Sequence, residues 1–337
     1  MGDWTYNHYT VASFASTVLP AIVFGYLLVV PALIVRSQDT IQSAANADTK
    51  AQTVEFDIVR DFTEGLAAVE VGQKWGYIDT KGNLAIPLQF DWAWEFSEGL
   101  AGVGIYDSGS IKWGFIDKTG TVVIPPQPFD RVRGFTEGLA AVAMNGKWGY
   151  IDRTGKIVIQ PKFDNASRFW EGLAPVEVDE QWGYVNQDGQ MMVQPRFELA
   201  QEFFEELAGV MTSDGKTGYI DRTGKFVIPP QFDWGWEFSE GLAAVKTGNR
   251  WGFIDKTGQL VIQPQFEDAW GFSEGLAAIK LHAKWGYIDK TGRVVIEPQF
   301  DNTFRFSETG LAWVEVGGSA WYIDKTGKSV VSSAAEQ

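Results

Sequence analysis

One ten-residue segment recurs along this chain, and its regular return constrains the fold more than any other feature. It reads KWGYIDRTGK at 147–156 and comes back with few changes at 74–83, 112–121, 250–259 and 284–293. Together with a second recurring marker, Phe-x-Glu-Gly-Leu-Ala, it divides 55–332 into eight units of about 34 residues, a period that predicts stacked copies of one structural unit. The second marker begins at Phe62, Phe96, Phe135, Phe169, Phe238 and Phe272, with degenerate copies at Phe203 and Phe306.

Each unit reads as about three short β-strands joined by tight turns. Runs such as LAAVAM, WGYID and KIVI are rich in strand-forming residues and alternate in part. Between the last two runs stands Asp-x-Thr-Gly. In this turn the Asp side chain accepts hydrogen bonds from backbone amides that follow it in the chain, and Gly adopts the left-handed conformation. Calcium binding is disfavoured because each turn has a single Asp, usually beside Lys or Arg. The predicted turn-capping residues are Asp79, Asp117, Asp152, Asp221, Asp255, Asp289 and Asp324.

The Trp-Gly pair of each unit is predicted to be a packing element. About three strands are too few to be stable alone, so each Trp must be covered by a neighbouring unit, while Gly allows close backbone approach. Unit five replaces the Trp by Thr217, and unit eight is interpreted as keeping the Trp without the Gly. The predicted structural core residues are Trp75, Trp113, Trp148, Trp182, Trp251, Trp285 and Trp321.

The segment FTEGLAAVAMNGKWGYIDRTGKIVIQPKFD resembles the WG-repeat family of bacterial proteins. The resemblance implies a β-rich scaffold, with no common catalytic residues and no common cofactor. We therefore expect an all-β repeat domain of eight antiparallel hairpin or meander units. A closed propeller-like ring would hide the sheet edges, whereas the short unit length favours an open β-solenoid; both remain open.

The start of the chain predicts a single transmembrane α-helix. Residues 11–35 contain no charged side chain, and this run is long enough to span a bilayer as a helix. A signal peptide would have Lys or Arg before its apolar run, and no such residue precedes this one. Arg36 favours an outside or lumenal N-terminus with cytoplasmic repeats, and Ala21 and Gly25 form a small-residue pair for membrane-helix packing. The predicted division is 1–36 with the helix, a polar linker at 37–54, the repeats at 55–332 and a tail at 333–337.

Residues 1–38 also resemble small one-helix photosystem subunits, in the segments ASF and LPAIVFGYLLV. That resemblance implies an accessory subunit of a photosynthetic or other energy-transducing membrane complex.

The composition argues against catalysis, metal binding and nucleic-acid binding. The chain has no Cys and only two His, which excludes thiolate chemistry and disfavours His-based metal sites. Its formal net charge of −15 repels nucleic-acid phosphates. A glycosidase needs one special pair of carboxylates, whereas the Glu of Phe-x-Glu-Gly recurs in equivalent places of the repeat. We therefore interpret this Glu as a turn residue. We expect a protein that is not an enzyme and needs no metal or cofactor.

Five tryptophans depart from the repeat and are candidate partner-binding residues, because Trp is enriched at interface hot spots. The alternative is extra packing between units. The function predicted from the sequence is a membrane-anchored, non-catalytic scaffold that binds a protein partner or a multi-subunit membrane complex. An envelope carbohydrate-binding module, with Trp stacking on sugars, is an alternative that needs outward-facing repeats. The five residues are Trp92, Trp94, Trp234, Trp236 and Trp270.

Overall fold

The computed structural model describes residues 56–330, in which 31 β-strands form eight antiparallel sheets, or blades. Blade 1 consists of β1 (Ile58–Val59), β2 (Leu66–Val71), β3 (Lys74–Asp79) and β4 (Leu84–Phe90). Blade 2 consists of β5 (Trp92–Ala93), β6 (Leu100–Asp107), β7 (Ser110–Asp117) and β8 (Val122–Gln127). Blade 3 consists of β9 (Arg131–Val132), β10 (Leu139–Met144), β11 (Lys147–Asp152) and β12 (Ile157–Phe163). Blade 4 consists of β13 (Asn165–Ala166), β14 (Leu173–Val178), β15 (Gln181–Asn186) and β16 (Met191–Phe197).

The second half of the domain repeats this pattern. Blade 5 consists of β17 (Leu199–Ala200), β18 (Ala208–Met211), β19 (Thr217–Ile220) and β20 (Phe226–Phe232). Blade 6 consists of β21 (Trp234–Gly235), β22 (Leu242–Thr247), β23 (Arg250–Asp255) and β24 (Leu260–Phe266). Blade 7 consists of β25 (Asp268–Ala269), β26 (Leu276–Leu281), β27 (Lys284–Asp289) and β28 (Val294–Phe300). Blade 8 has three strands in the described part of the chain: β29 (Asn302–Thr303), β30 (Ala312–Val316) and β31 (Ser319–Ile323).

The blades form an eight-bladed β-propeller, which confirms the all-β prediction and decides for the propeller over the open solenoid. Each complete blade is a four-stranded meander, one strand more than the sequence predicts. The extra strand has only two residues, which explains how a unit of about 34 residues holds four strands. These short strands lie on the axial side, since Arg305 of blade 8 reaches past blade 7 to Glu237 of blade 6 at 2.8 Å.

The Gly of each Trp-Gly pair is required by a close approach of two strands. In blade 1 the register between β3 and β4 shifts between Trp75 and Tyr77, which flank Gly76, and again between Tyr77 and Ile78. A Cβ at Gly76 would lie 2.5 Å from the carbonyl oxygen of Ile86, closer than real Cβ contacts allow. The corresponding glycines of blades 2 to 7 meet the same obstacle from the backbone of the outer strand: Gly114, Gly149, Gly183, Gly218, Gly252 and Gly286.

Neighbouring blades share apolar cores, with a repeated aromatic pair at each. The Tyr150 ring of blade 3 lies 4.7 Å from the Phe169 ring of blade 4, and both residues are fully buried. Burial raises the pKa of Tyr150, whose hydroxyl donates to the carbonyl of Ser167 at 2.8 Å. In blades 2 to 8 the Phe of Phe-x-Glu-Gly is therefore the residue that joins the blade to the preceding one.

The two recurring turns have the roles that their residues suggest. In the Asp-x-Thr-Gly turn, Asp152 Oδ1 accepts hydrogen bonds from the amides of Thr154 and Lys156 at 2.9 and 3.1 Å. In the Phe-x-Glu-Gly turn, Glu240 and Gly241 both have positive φ, and the Glu240 carboxylate accepts from the Gly275 amide of the next blade at 3.0 Å. We call this contact, which recurs around the ring, the inter-blade clasp.

The predictions for the helix, the linker and the tail lie outside the described residues. These are the transmembrane helix at 11–35, the packing pair Ala21 and Gly25, and the tail at 333–337. Within residues 56–330 no helix is long and apolar enough to cross a membrane.

Candidate docking surface on the tryptophan-rich face

The propeller has two faces with different side chains. In blade 1, Val71 pairs with Lys74 at one end of the β2–β3 hairpin, and Leu66 pairs with Asp79 at the other. The hairpin tips of all blades therefore lie on one face, which we call the hairpin face. The Phe-x-Glu-Gly and Asp-x-Thr-Gly turns lie on the opposite face, which we call the turn face. The core tryptophans stand directly after the hairpin tips, near the hairpin face.

The predicted core tryptophans are mostly buried. Trp75, Trp113, Trp148, Trp251 and Trp285 keep no more than 7% of their surface exposed. Trp182 is only partly buried, and the position is taken by buried Thr217 in blade 5.

Trp321 does not occupy the core position, and the interpretation that blade 8 keeps the repeat Trp is wrong. Val314 pairs with Trp321 in blade 8, just as Val69 pairs with Gly76 in blade 1. Trp321 thus stands at the Gly position, and Ala320 stands where other blades have Trp. The Trp321 side chain is partly buried against the core shared by blades 7 and 8.

In blades 1, 2, 3, 6 and 7 the side chain two residues before the Phe of Phe-x-Glu-Gly covers the core Trp of the same blade. Trp236 stacks on Trp251 with ring centroids 6.2 Å apart, and it stacks on Trp270 of the next blade at 5.6 Å. Trp270 stacks in turn on Trp285 at 6.4 Å. We call the aromatic and arginine side chains at this position the aromatic arc; in ring order from blade 6 to blade 3 they are Trp236, Trp270, Phe304, Arg60, Trp94 and Arg133.

Two further candidates, Trp92 and Trp234, stand at the first residue of the axial strand instead. Trp92 makes an edge contact with Trp94 at 6.1 Å, and Trp234 makes one with Trp236 at 6.0 Å. All five sequence-predicted tryptophans are partly buried rather than fully covered. The structure therefore brings them together in two groups. Trp92 and Trp94 form one group on blade 2, and Trp234, Trp236 and Trp270 form the other on blades 6 and 7.

The arginines of the arc were missed by the sequence analysis. The Arg60 guanidinium lies 4.9 Å from the ring centroids of both Trp75 and Trp94, so it joins two blades by cation–π contacts. Arg60 Nη1 also contacts Glu95 Oε1 at 3.3 Å. The available signal was spacing, because Arg60 stands as far before its Phe as Trp94 does.

A cleft of about 210 Å³ opens between blades 2 and 3. The guanidinium of Arg133 lies 5.0 Å from the Trp148 ring centroid, and its Nε donates to the carbonyl of Ala166 at 2.9 Å. Arg131 is exposed beside it, and neither arginine forms an ion pair with another described residue. The cleft thus offers positive charge next to aromatic surface on an acidic protein. It is lined by Trp94, Trp113, Arg131, Val132, Arg133 and Trp148.

The repeated acidic side chains of residues 56–330 take part in contacts within the ring. Across residues 56–330 there is no group of three or more His, Asp or Glu side chains that could hold a metal ion. The repeated Glu side chains of the turn face are occupied by the inter-blade clasp and by cations such as Lys290, whose Nζ lies 3.0 Å from Glu240 Oε2.

The family comparison covers most of the chain. A family model described as WG containing repeat matches residues 53–75, 75–107, 113–148, 148–182, 182–216, 218–251, 251–285 and 285–319. The match begins at residue 53 and gives no support to the resemblance of residues 1–38 to photosystem subunits. A comparison with curated proteins finds no match.

Two solved structures are similar in fold. BamB from Moraxella catarrhalis is 13% identical, with 71% of this chain and 82% of BamB covered and a TM-score of 0.43. Kluyveromyces lactis Hsv2p is 8% identical, with 68% of this chain and 92% of Hsv2p covered and a TM-score of 0.42. Neither likeness bears on function.

Proposed function

Because the chain belongs to the family of proteins built from WG containing repeats, we propose that it is a non-catalytic scaffold that binds a partner protein through the aromatic arc. The observation that carries this proposal is that the fold does not require tryptophan at the arc position. Blades 4 and 5 have Ser167 and Gln201 there, and they share buried cores with their neighbours all the same. Partly exposed Trp and Arg at such a position are typical of interface hot spots.

The charge of the cleft indicates which partner chemistry fits. A partner that approaches an acidic protein of net charge −15 through this face meets Arg131, which is exposed, and Arg133, which forms no ion pair at contact distance with a described carboxylate, although Glu202 acts on it electrostatically. A carboxylate beside an apolar or aromatic group would complement both the guanidinium groups and the tryptophan walls. We therefore infer a partner segment that carries Asp or Glu next to an apolar side chain.

The proposal includes a membrane anchor at residues 11–35, which would hold the repeats at the cytoplasmic side. The motivation is the uncharged run in the sequence. The native protein should stay with membranes through an alkaline carbonate wash. Release of the protein into the supernatant would contradict the membrane anchor. The proposal for the docking surface would not be affected by this result.

The docking surface is tested by replacing Trp234 and Trp236 with Ala together in the full chain, solubilised in mild detergent. A matched control is Trp170→Ala, because Trp170 is 43% exposed and follows Phe169 on the turn face. A hot-spot Trp is worth about 2 kcal/mol or more in binding, so capture of the partner should weaken at least tenfold in the double variant alone.

Three outcomes would contradict the proposal. The double variant binds as the unaltered protein does but melts much earlier, which assigns both tryptophans to the core. Trp170→Ala loses the partner equally, which moves the surface to the turn face. The unaltered protein is retained on immobilised glycans and the double variant is not, which favours a carbohydrate ligand.

A further inference from the structure

The hairpin of blade 4 concentrates negative charge on the hairpin face. Asp164, Glu177, Asp179 and Glu180 surround an open hollow of about 540 Å³. Asp179 and Glu180 form the tip between β14 and β15, and both are exposed. We call Glu177, Asp179 and Glu180 the acidic hairpin.

The geometry of the tip does not account for its acidic residues. Asp179 and Glu180 have positive φ angles of 51° and 63°. A two-residue turn of this kind favours Asn-Gly, which is what blade 3 has at Asn145 and Gly146. A Glu side chain is strained in this conformation, and such strain in a native protein points to a role outside the local fold.

The carboxylates of this hairpin lack a full set of counter-charges within the described part of the ring. Lys147 forms an ion pair with Asp164, whereas the acidic hairpin forms none with a described Lys, Arg or His. Burial raises the pKa of Glu177, and the carboxylates of Asp164 and Glu180 raise it further. A cation supplied from outside would relieve this repulsion.

The acidic hairpin adjoins the cleft between blades 2 and 3. Arg133 Nη2 donates to Asn165 Oδ1 at 3.4 Å, and Asn165 pairs with Glu177 across β13 and β14. Arg131 is exposed at the cleft and forms no ion pair with a described carboxylate. The hairpin face thus has a positive patch and a negative patch side by side, and they do not neutralise each other.

Two opposite patches side by side on one face are complementary to themselves. When two copies face each other, a half-turn about an axis between the patches places the cleft of each copy over the acidic hairpin of the other. Such a two-fold dimer makes the same contact twice.

The acidic hairpin also has the chemistry inferred above for the partner segment. Val178 is partly exposed and stands between Glu177 and Asp179, so carboxylates lie next to an apolar side chain. Carboxylates at the tip of a hairpin can reach a guanidinium group at the mouth of the cleft.

We propose that the partner bound by the cleft is a second copy of this chain, in a two-fold dimer in which the acidic hairpin of each copy lies against Arg131 of the other. This inference rests on the proposed function, because it names the partner of the same docking surface. Arg133 forms the wall of the cleft behind Arg131.

The test exchanges charges between two variants of the full chain in mild detergent. Arg131→Glu places a carboxylate opposite the acidic hairpin, and Asp179→Lys with Glu180→Lys places lysines opposite Arg131. The unaltered protein should sediment as a dimer, and each variant alone should dimerise at least about tenfold more weakly. An equimolar mixture of the two variants should restore the dimer, because both contacts of a mixed pair join opposite charges.

Two further variants complete the test. Arg222→Glu is the matched control, because Arg222 is exposed on the turn face, and it should dimerise as the unaltered protein does. Arg131→Gln removes the positive charge without adding a negative one, and it should also weaken the dimer. Recovery in the mixture shows in addition that both charge-exchanged variants are folded.

Three results overturn the proposal. The dimer persists in Arg131→Glu and in the lysine variant. The mixture fails to recover the dimer. The unaltered protein is monomeric while it captures a different protein through Trp234 and Trp236, which leaves the proposed function standing.

The aromatic arc is tested separately in the same assay. A dimer that depends on the charges but is unchanged by Trp234→Ala with Trp236→Ala supports the second copy as the partner and contradicts the arc as part of the docking surface. A monomeric unaltered protein that captures no protein overturns both proposals.

Discussion

The carbonyl oxygen of Ile86 lies so close to Gly76 that a Cβ on the glycine would be 2.5 Å from it. The same relationship recurs in blades 2 to 7, so the Gly of each Trp-Gly pair has a steric role in joining the third strand to the outer strand. This close approach explains why the Trp-Gly pair is repeated from blade to blade.

The first prediction compares two glycines of blade 3. Gly149→Ala should cost about 3 kcal/mol of unfolding free energy, because its Cβ would meet backbone atoms such as the Pro161 nitrogen at 2.6 Å. Gly146→Ala should cost only about 1 kcal/mol, since Gly146 has a φ of +76° but no neighbouring atom within 4 Å. Urea unfolding measures both. A larger loss for Gly146→Ala would contradict the steric role.

The second prediction concerns the core tryptophans. Trp148 is buried between the Arg133 guanidinium and the blade core, so Trp148→Ala should cost about 3–5 kcal/mol. Trp182 is only partly buried, and Trp182→Ala should cost less. Lys156→Ala is the surface control. Equal and small Tm shifts for Trp148→Ala and Lys156→Ala would show that the repeat Trp is not a core residue.

The third prediction isolates the inter-blade clasp. Glu240→Gln keeps the shape of the side chain but removes its negative charge. The carboxylate that accepts a hydrogen bond from the Gly275 amide and pairs with Lys290 becomes a neutral amide. The site is partly exposed, so we expect a loss of about 1 kcal/mol or less. Glu308→Gln is the matched control, because Glu308 has the same place in blade 8 and is exposed without a clasp among the described residues. A Glu308 effect as large as that of Glu240 would contradict the clasp.

The fourth prediction is the pH dependence of stability. Hydrogen bonds from Lys147 and the Asp179 amide lower the pKa of Asp164, and a hydrogen bond from Thr154 lowers that of Asp152. A carboxyl group with a lowered folded pKa stabilises the fold above its unfolded pKa of about 3.9, and this contribution is lost as the pH falls. Because this arrangement recurs around the ring, Tm should fall steeply below about pH 4. A Tm that stays level down to pH 2 would contradict it.

Alkaline pH should destabilise the protein for the opposite reason. Burial raises the pKa of Tyr150, so the unfolded chain ionises first once the pH exceeds about 10. Stability is therefore lost as the pH rises above that value, and the rise of tyrosinate absorbance should coincide with unfolding. If the tyrosinate absorbance rises fully while the protein is still folded, the hydroxyl of Tyr150 is accessible to solvent and the prediction is contradicted.

The sequence predicted the elements whose residues carry a pattern. The turn aspartates and the strands around Trp148 were found because alternation and Asp-x-Thr-Gly identify them locally. The axial strand was missed because two residues, such as Asn165–Ala166, have no period to detect. The clasp was missed because the partner of Glu240 is a backbone amide, which every residue except Pro has.

The error at Trp321 and the omission of Arg60 have different causes. Trp321 was matched by residue type, whereas its distance from Asp324 is one residue shorter than that of Trp75 from Asp79. Counting from the aspartate would have assigned it to the Gly position. Arg60 does not stand out by residue type, because an arginine is not an aromatic residue, yet its guanidinium covers the Trp75 ring as Trp236 covers Trp251.

The docking account is tested most directly by photocrosslinking in native membranes. A photoreactive benzoylphenylalanine replaces Arg131, which is exposed on the hairpin face, or Trp170, which is exposed on the turn face. The account predicts a discrete protein adduct from position 131 and none from position 170. An adduct from position 170 alone, or none from either position, would contradict it.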